Sequence, residues 1–157
     1  MAKRTCIYHP NAKGTGMALA IELHPATEVQ QGYLVIDFVR QSAVAKRENA
    51  TPTFPRFDWA ERRTVRLSAS EVAMVLGVFA GVAEAINGGK GIEVANGSAT
   101  LKMRHRIEPT PWYVLSLAVR DGANGKIDKR EIALSPTEAT MLYYGLTAAM
   151  ERLLFGD

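Results

Sequence analysis

One cysteine in 157 residues, Cys6, rules out an internal disulfide and leaves no zinc site built on thiolates. Its simplest role is that of a small side chain in an opening strand. The histidines are equally uninformative as ligands. His9, His24 and His105 are scattered, with no HxH or HExxH spacing to bring two imidazoles onto one metal. Long apolar runs are missing too: Glu, Gly or Arg interrupts each well short of the ~18 residues a membrane-spanning helix requires. The opening "MAKRTCIYHP" has Lys3 and Arg4 but no apolar core, so it does not read as a secretory signal. "AKGTG" and "GGKG" lack the spacing and the strand-then-helix context of a phosphate loop, and read as a hairpin turn and a helix end. No Ser/His/Asp set stands in a motif context. The sequence thus offers no catalytic apparatus and implies no cofactor or metal, so a non-enzymatic role is expected. A net charge of +3 is compatible with an anionic partner without demanding one.

What the chain does have is a phrase written twice. "LSASE" at Leu67–Glu71 returns as "LSPTE" at Leu134–Glu138. In each copy a serine can cap a helix and a glutamate three residues on can complete a capping box, Ser68 with Glu71 and Ser135 with Glu138. Pro136 falls at the first helical position, where its missing N–H costs nothing. Behind the first box Val72, Val75, Leu76, Phe79 and Ile86 form one stripe, ended by Asn87–Gly89. Behind the second, Ala139, Leu142, Leu146, Ala149 and Leu153 do the same as far as Gly156.

Ahead of each helix the apolar period changes to two. "GMALAIELHP", "GYLVIDFVR" and "RRTVRLS" precede the first, and "ATLKMRHRI", "WYVLSLAVR" and "KREIALS" the second. "TCIYHP" and "GIEVANG" supply the opening strands. Both Glu71 and Glu138, and both serines, are therefore explained by capping. The expected fold class is α+β: a duplicated ββββα unit, with two antiparallel four-stranded sheets and two helices packed on them. The halves cover about 1–88 and 89–157 of a single domain.

Alternation sorts each strand into two faces. Leu101, Met103 and Ile107, with His105 in register, face inward and leave Lys102, Arg104 and Arg106 as a row of cations opposite. Leu115, Leu117 and Val119 face inward beside Trp112, Val114, Ser116, Ala118 and Arg120 on the other side. In "GYLVIDFVR", Leu34, Ile36 and Phe38 point in, while Tyr33, Val35, Asp37 and Val39 point out. A basic ladder flanked by aromatics suits a single-stranded nucleic acid, whose phosphates meet cations and whose bases stack on rings. A solvated strand face whose cations discourage edge pairing has the same pattern.

Several stretches resemble the Whirly family of single-stranded DNA-binding proteins, and the wider fold shared by transcriptional positive-cofactor and kinetoplastid guide-RNA-binding proteins. "AKGTGMALAIELHP" is similar to the family's Lys-Gly-Lys-Ala-Ala-Leu strand through Lys13, Gly14, Ala18 and Leu19. "GYLVIDF" resembles its Gly-aromatic-apolar second strand. "FDWAERRTVRLSASEV" resembles its Tyr-Asp-Trp segment leading into Leu-Ser-Pro-Thr-Glu-Val, and "EIALSPTEATMLYYGLTAAMERLLFG" its closing strand and helix. Two departures stand out: Gly16 occupies the place of the second lysine, and the loop at Gln41–Phe54 is longer.

The resemblance implies binding of single-stranded DNA, or RNA in a related member, with little sequence preference, and a homotetramer held by the helices. With no organellar transit segment ahead of the first strand, a bacterial or phage cytoplasmic protein is expected. Phosphates are expected at Lys13, Lys102, Arg104, Arg106 and Arg120, and stacked bases at some of Tyr33, Phe57, Trp59 and Trp112. Met141, Tyr143, Met150, Leu154 and Phe155, outside the main stripe of the second helix, suit either a subunit contact or a helix gripped between two sheets. A protein-interaction module using its open sheets for strand addition is the alternative from another class.

Overall fold

In the computed structural model, residues 3–48, 51–81, 91–107, 109 and 111–157 are described. The first antiparallel sheet is built from β1 (Lys3–His9), β2 (Met17–His24), β3 (Tyr33–Ala43) and β7 (Arg63–Ser68). The second runs β8 (Ile92–Asn96), β9 (Ala99–Arg106), β10 (Trp112–Arg120) and β11 (Ile127–Leu134), each strand paired to its neighbour in the chain. Helix α1 (Ala69–Phe79) follows the first sheet and α2 (Pro136–Phe155) the second. The α+β class and the strand-to-helix order are those expected. Ile86 and Asn87–Gly89, expected to finish α1, lie outside the described residues.

Both capping boxes form. Ser135 Oγ accepts from Glu138 N–H at 3.2 Å while the Glu138 carboxylate takes the Ser135 N–H at 3.0 Å. Ser68 and Glu71 repeat the arrangement at 3.4 and 2.7 Å. Glu138 does more: His9 Nε2 on β1 lies 2.8 and 3.0 Å from its two oxygens, tying the helix start to the far strand. Burial pushes the Glu138 carboxyl up, but bonds from Ser135 and His9 outweigh this and hold it below the usual carboxylate range. Ser135→Ala is expected to cost about 0.5–2 kcal/mol of stability, read by chemical denaturation.

The inner faces of both sheets and the inner stripes of both helices share one core. Every member of the predicted α2 stripe is buried, Ala139, Leu142, Leu146, Ala149 and Leu153. In α1 Val72, Val75 and Val78 are buried, with Leu76 and Phe79 packed at the margin. The last turn of α2 is held by the β2–β3 connection: Ala26 N–H donates to Arg152 O at 2.9 Å and Gly32 N–H to Leu153 O at 3.2 Å. A Cβ at Gly32 would stand 2.7 Å from the Leu153 backbone, so the residue read as turn punctuation is what lets hairpin and helix meet.

The two sheets are also joined by ions. Asp128 on β11 accepts from Arg40 on β3 (2.9 Å), Arg63 on β7 (2.9 Å) and its neighbour Arg130 (3.2 Å). Arg130 is only 3% exposed, and its Nη1 donates to Phe38 O across the interface at 2.7 Å.

Three features differ from the sequence reading. Ile107 falls just beyond β9 and is exposed, because the inward register ends with the strand. Val39 and Val114 sit on outward faces by register yet are buried. Finally, the stretch read as a long loop after Gln41 is built: β3 continues to Ala43, a ribbon pairs β4 (Arg47–Glu48) with β5 (Thr51–Pro52), and β6 (Arg56–Phe57) returns along β3.

Candidate nucleic-acid interface

On the outer face of the second sheet, strand register places Trp112 opposite Arg106, Val114 opposite Arg104 and Ser116 opposite Lys102. The cation row is therefore real, and lies beside Trp112 as alternation required. Its members differ. Lys102 pairs with Glu93 on β8 at 3.6 Å, both side chains well exposed. Arg104, Arg106 and Arg120 make no ion pair among the described residues. Arg106 Nε is buried with no acceptor among them. An unmet, desolvated donor on a guanidinium carries a free-energy cost that an anionic oxygen would relieve. Val114 is buried between its register neighbours Arg104 and Ala133, so this face has an apolar floor beneath its charges.

The first sheet's outer face is built differently. After the bulge at the end of β3, Gln41 pairs with Phe57 and Asp58 N–H donates to Arg40 O at 2.9 Å. The chain then crosses the face as a short helical turn at Trp59–Glu61. Phe57 meets Tyr8 of β1, ring centroids 5.3 Å apart, and the Arg4 guanidinium lies 4.5 Å over Trp59. This returning segment accounts for the burial of Val39, Ala18 and Ala20 on an outward face. Farther along, Tyr33 stacks on His24 at 4.5 Å and carries the Arg66 guanidinium 3.5 Å over its ring. His24 in turn pairs with Glu22 at 2.8 Å.

Lys13 is exposed in the β1–β2 turn, which Gln41 fixes from beneath. The buried Gln41 amide accepts from Asn11 N–H (2.9 Å) and Gly16 N–H (3.1 Å), and donates to Asn11 O and Ala43 O (both 3.1 Å). A Cβ on Gly16 would collide with His9 O and with that amide oxygen. The glycine in place of a second lysine is therefore a packing requirement of this chain.

The predicted residues thus form two sets, one per sheet. Tyr33, Phe57, Trp59 and Lys13 belong to the first sheet, and Lys102, Arg104, Arg106, Trp112 and Arg120 to the second. No hydrogen bond, ion pair or ring contact joins the sets among the described residues. Sequence reasoning missed Arg4, Tyr8, His24 and Arg66. The alternation of "RTCIYH" and "RTVRLS" puts Arg4, Tyr8 and Arg66 on outward positions, but not which rings they meet. Tyr33 already has partners in Arg66 and His24, so the guanidinium of Arg66 is the flat surface available above it.

No protein-family model matches the sequence, and no curated protein does. Solved structures do. WHY1 from Arabidopsis thaliana superposes with a TM-score of 0.68 at 14% identity, over 99% of this chain and 86% of that one. MRP1/MRP2 of Trypanosoma brucei gives 0.70 at 18% identity, over 96% and 85%. A guide-RNA-binding protein complex bound to a gRNA gives 0.70 at 16%, over 96% and 91%. The chain has the Whirly-type fold, and at these identities the likeness is one of fold.

Proposed function

We propose that this protein is a non-enzymatic binder of single-stranded nucleic acid, DNA before RNA, with little sequence preference. The observation that carries the reading is the row of Arg104 and Arg106 beside Trp112, which among the described residues has no carboxylate partner and has one guanidinium nitrogen buried and unmet. Lys13, Lys102 and Arg120 extend the phosphate contacts. Bases stack on Trp112 and Phe57, on the Arg4-covered Trp59, and on the Arg66 layer over Tyr33. One structure sharing the fold is of a protein complex bound to a guide RNA, which supports the ligand class. The test is a fluorescence-anisotropy titration with single-stranded DNA, duplex DNA and RNA. Preference for single-stranded DNA is expected; equal, salt-insensitive binding of all three, or of none, overturns the reading. The reading includes a cytoplasmic location, where the one thiol, Cys6, stays reduced.

Assembly belongs to the same proposal. α2 buries one stripe in the core and exposes a second. Met141 is 69% and Phe155 81% exposed, with Tyr144 and Leu154 also open to solvent. A helix apolar on two sides suits a symmetric contact between copies. Light scattering is expected to give about four times the 17.2 kDa chain mass. Met141→Glu with Leu154→Glu should lower that mass, leave the circular dichroism intact and weaken binding. Met150, by contrast, packs against the core, so a charge there would test folding instead. Tight binding by a wild-type monomer at micromolar concentration would remove the inter-subunit part of the proposal.

A further inference from the structure

We infer that the β4–β5 ribbon and its neck form an additional clamp on the nucleic acid, with Phe54 stacking on a base and Lys46, Arg47 and Arg56 holding phosphates. This inference rests on the proposed function and adds a site to it. The stretch is longer than the corresponding loop of the family the sequence resembles, and the structure shows it to be built. Lys46 O accepts from both Thr53 N–H (2.7 Å) and Thr53 Oγ1 (2.9 Å), and Lys46 N–H donates back to Thr53 Oγ1 at 2.8 Å. Three bonds between two residues pin the neck one position before Phe54.

The surface so fixed has the composition a single strand requires. Phe54 is 82% exposed. A lone exposed ring is unremarkable on a protein surface, but this one stands among three exposed cations that make no ion pair among the described residues. Between residues 44 and 57 the one acid is Glu48. The next, Asp58, has its carboxylate turned to the Glu61 N–H at 3.4 Å. A phosphodiester chain is the occupant such charge and ring surface complement.

Position supports the same occupant. β6 carries the neck directly into Phe57, whose ring meets Tyr8 on the outer face of the first sheet. On the other side Val44 Cγ1 stands 3.4 Å from where a Gly14 Cβ would be, so the ribbon root abuts the turn that bears Lys13. Phe54 and the ribbon cations thus extend the first sheet's aromatic surface past its edge.

The experiment compares wild type, Phe54→Ala and the triple variant Lys46→Ala/Arg47→Ala/Arg56→Ala in titrations with a fluorescein-labelled oligothymidylate across a salt series. Losing one stacked base should weaken binding about 5- to 150-fold. Losing three phosphate contacts should lower the slope of log K against log salt by about 2. All substituted side chains are exposed, so folding is expected to persist and circular dichroism checks it. Ultraviolet cross-linking gives an independent reading: the adduct should map to the tryptic peptide Glu48–Arg56, which contains Phe54. Wild-type binding with both variants unchanged, or with adducts only elsewhere, overturns the clamp and leaves the sheet reading standing. A wild type that binds no oligothymidylate fails at the parent proposal, and the clamp falls with it.

Discussion

Alanine at Lys102, Arg104 and Arg106 together is expected to flatten the salt dependence of binding more than any other change to the strand faces. Each phosphate contact on a single strand contributes about 0.7 to the slope of log K against log salt, so the triple variant should lose about 2. The loss should be uneven among the single variants. Lys102 already spends part of its charge on Glu93 at 3.6 Å, although both groups are exposed and the pair is worth little. Among the described residues Arg104 has no such partner, and Arg106 brings a buried Nε with no acceptor. Arg106→Ala is therefore the most costly of the three for affinity and Lys102→Ala the least. The inward residues of the same strand, Leu101 and Met103, are fully buried and untouched, so the fold should be retained. An unchanged slope in a folded triple variant would assign the row to solubility, since β9 is paired on both sides and has no open edge to protect.

What was legible in the sequence was local. A capping box needs four consecutive residues, and both formed as written. The buried stripe of α2 follows from a 3.6-residue period, and the inward sets of β3 and β10, with Leu101 and Met103 of β9, from a period of two. Outward burial was not legible, because Val39 is covered by chain that returns eighteen or more positions later in sequence, at Phe57 and Trp59. The partners of Tyr33 were hidden for the same reason: Arg66 reaches it only because β3 and β7 pair, with Tyr33 opposite Ser68. Gly16 looked like a lost lysine until the Gln41 amide filled the space a side chain would need. The ribbon is invisible to periodicity because its strands are two residues each, too short to show a period.

The joint between the sheets provides the largest expected effect on stability. Asp128 holds three guanidinium groups, and among these Arg130 is almost wholly buried. Removing the carboxylate leaves Arg130 with its bond to Phe38 O but without its counter-ion. Breaking a buried pair from one side costs about 3–5 kcal/mol. Arg40 and Arg63 are substantially exposed and should add little to that. Asp128→Ala is therefore expected to unfold at markedly lower denaturant than wild type, and Asp128→Asn should fall between them.

Acid gives the same result without mutation. Burial pushes the Asp128 carboxyl up, but hydrogen bonds from Arg63 and Arg130, with the charges of Arg130 and Arg40, overcome this and hold it below the ordinary carboxylate range. A group whose folded pKa is depressed contributes fully above its unfolded value, about 4. That contribution is lost as pH falls through the lower, folded value. Glu138 shifts in the same direction, so acid sensitivity of the wild type alone does not single out Asp128. The gap between wild type and Asp128→Asn does, because Glu138 is common to both. Denaturation curves recorded from neutral pH into acid should show that gap widest near neutrality and closing below about pH 4. A gap that stays constant through this range, or an Asp128→Ala variant as stable as wild type, would mean that the sheets are held by their shared apolar core alone.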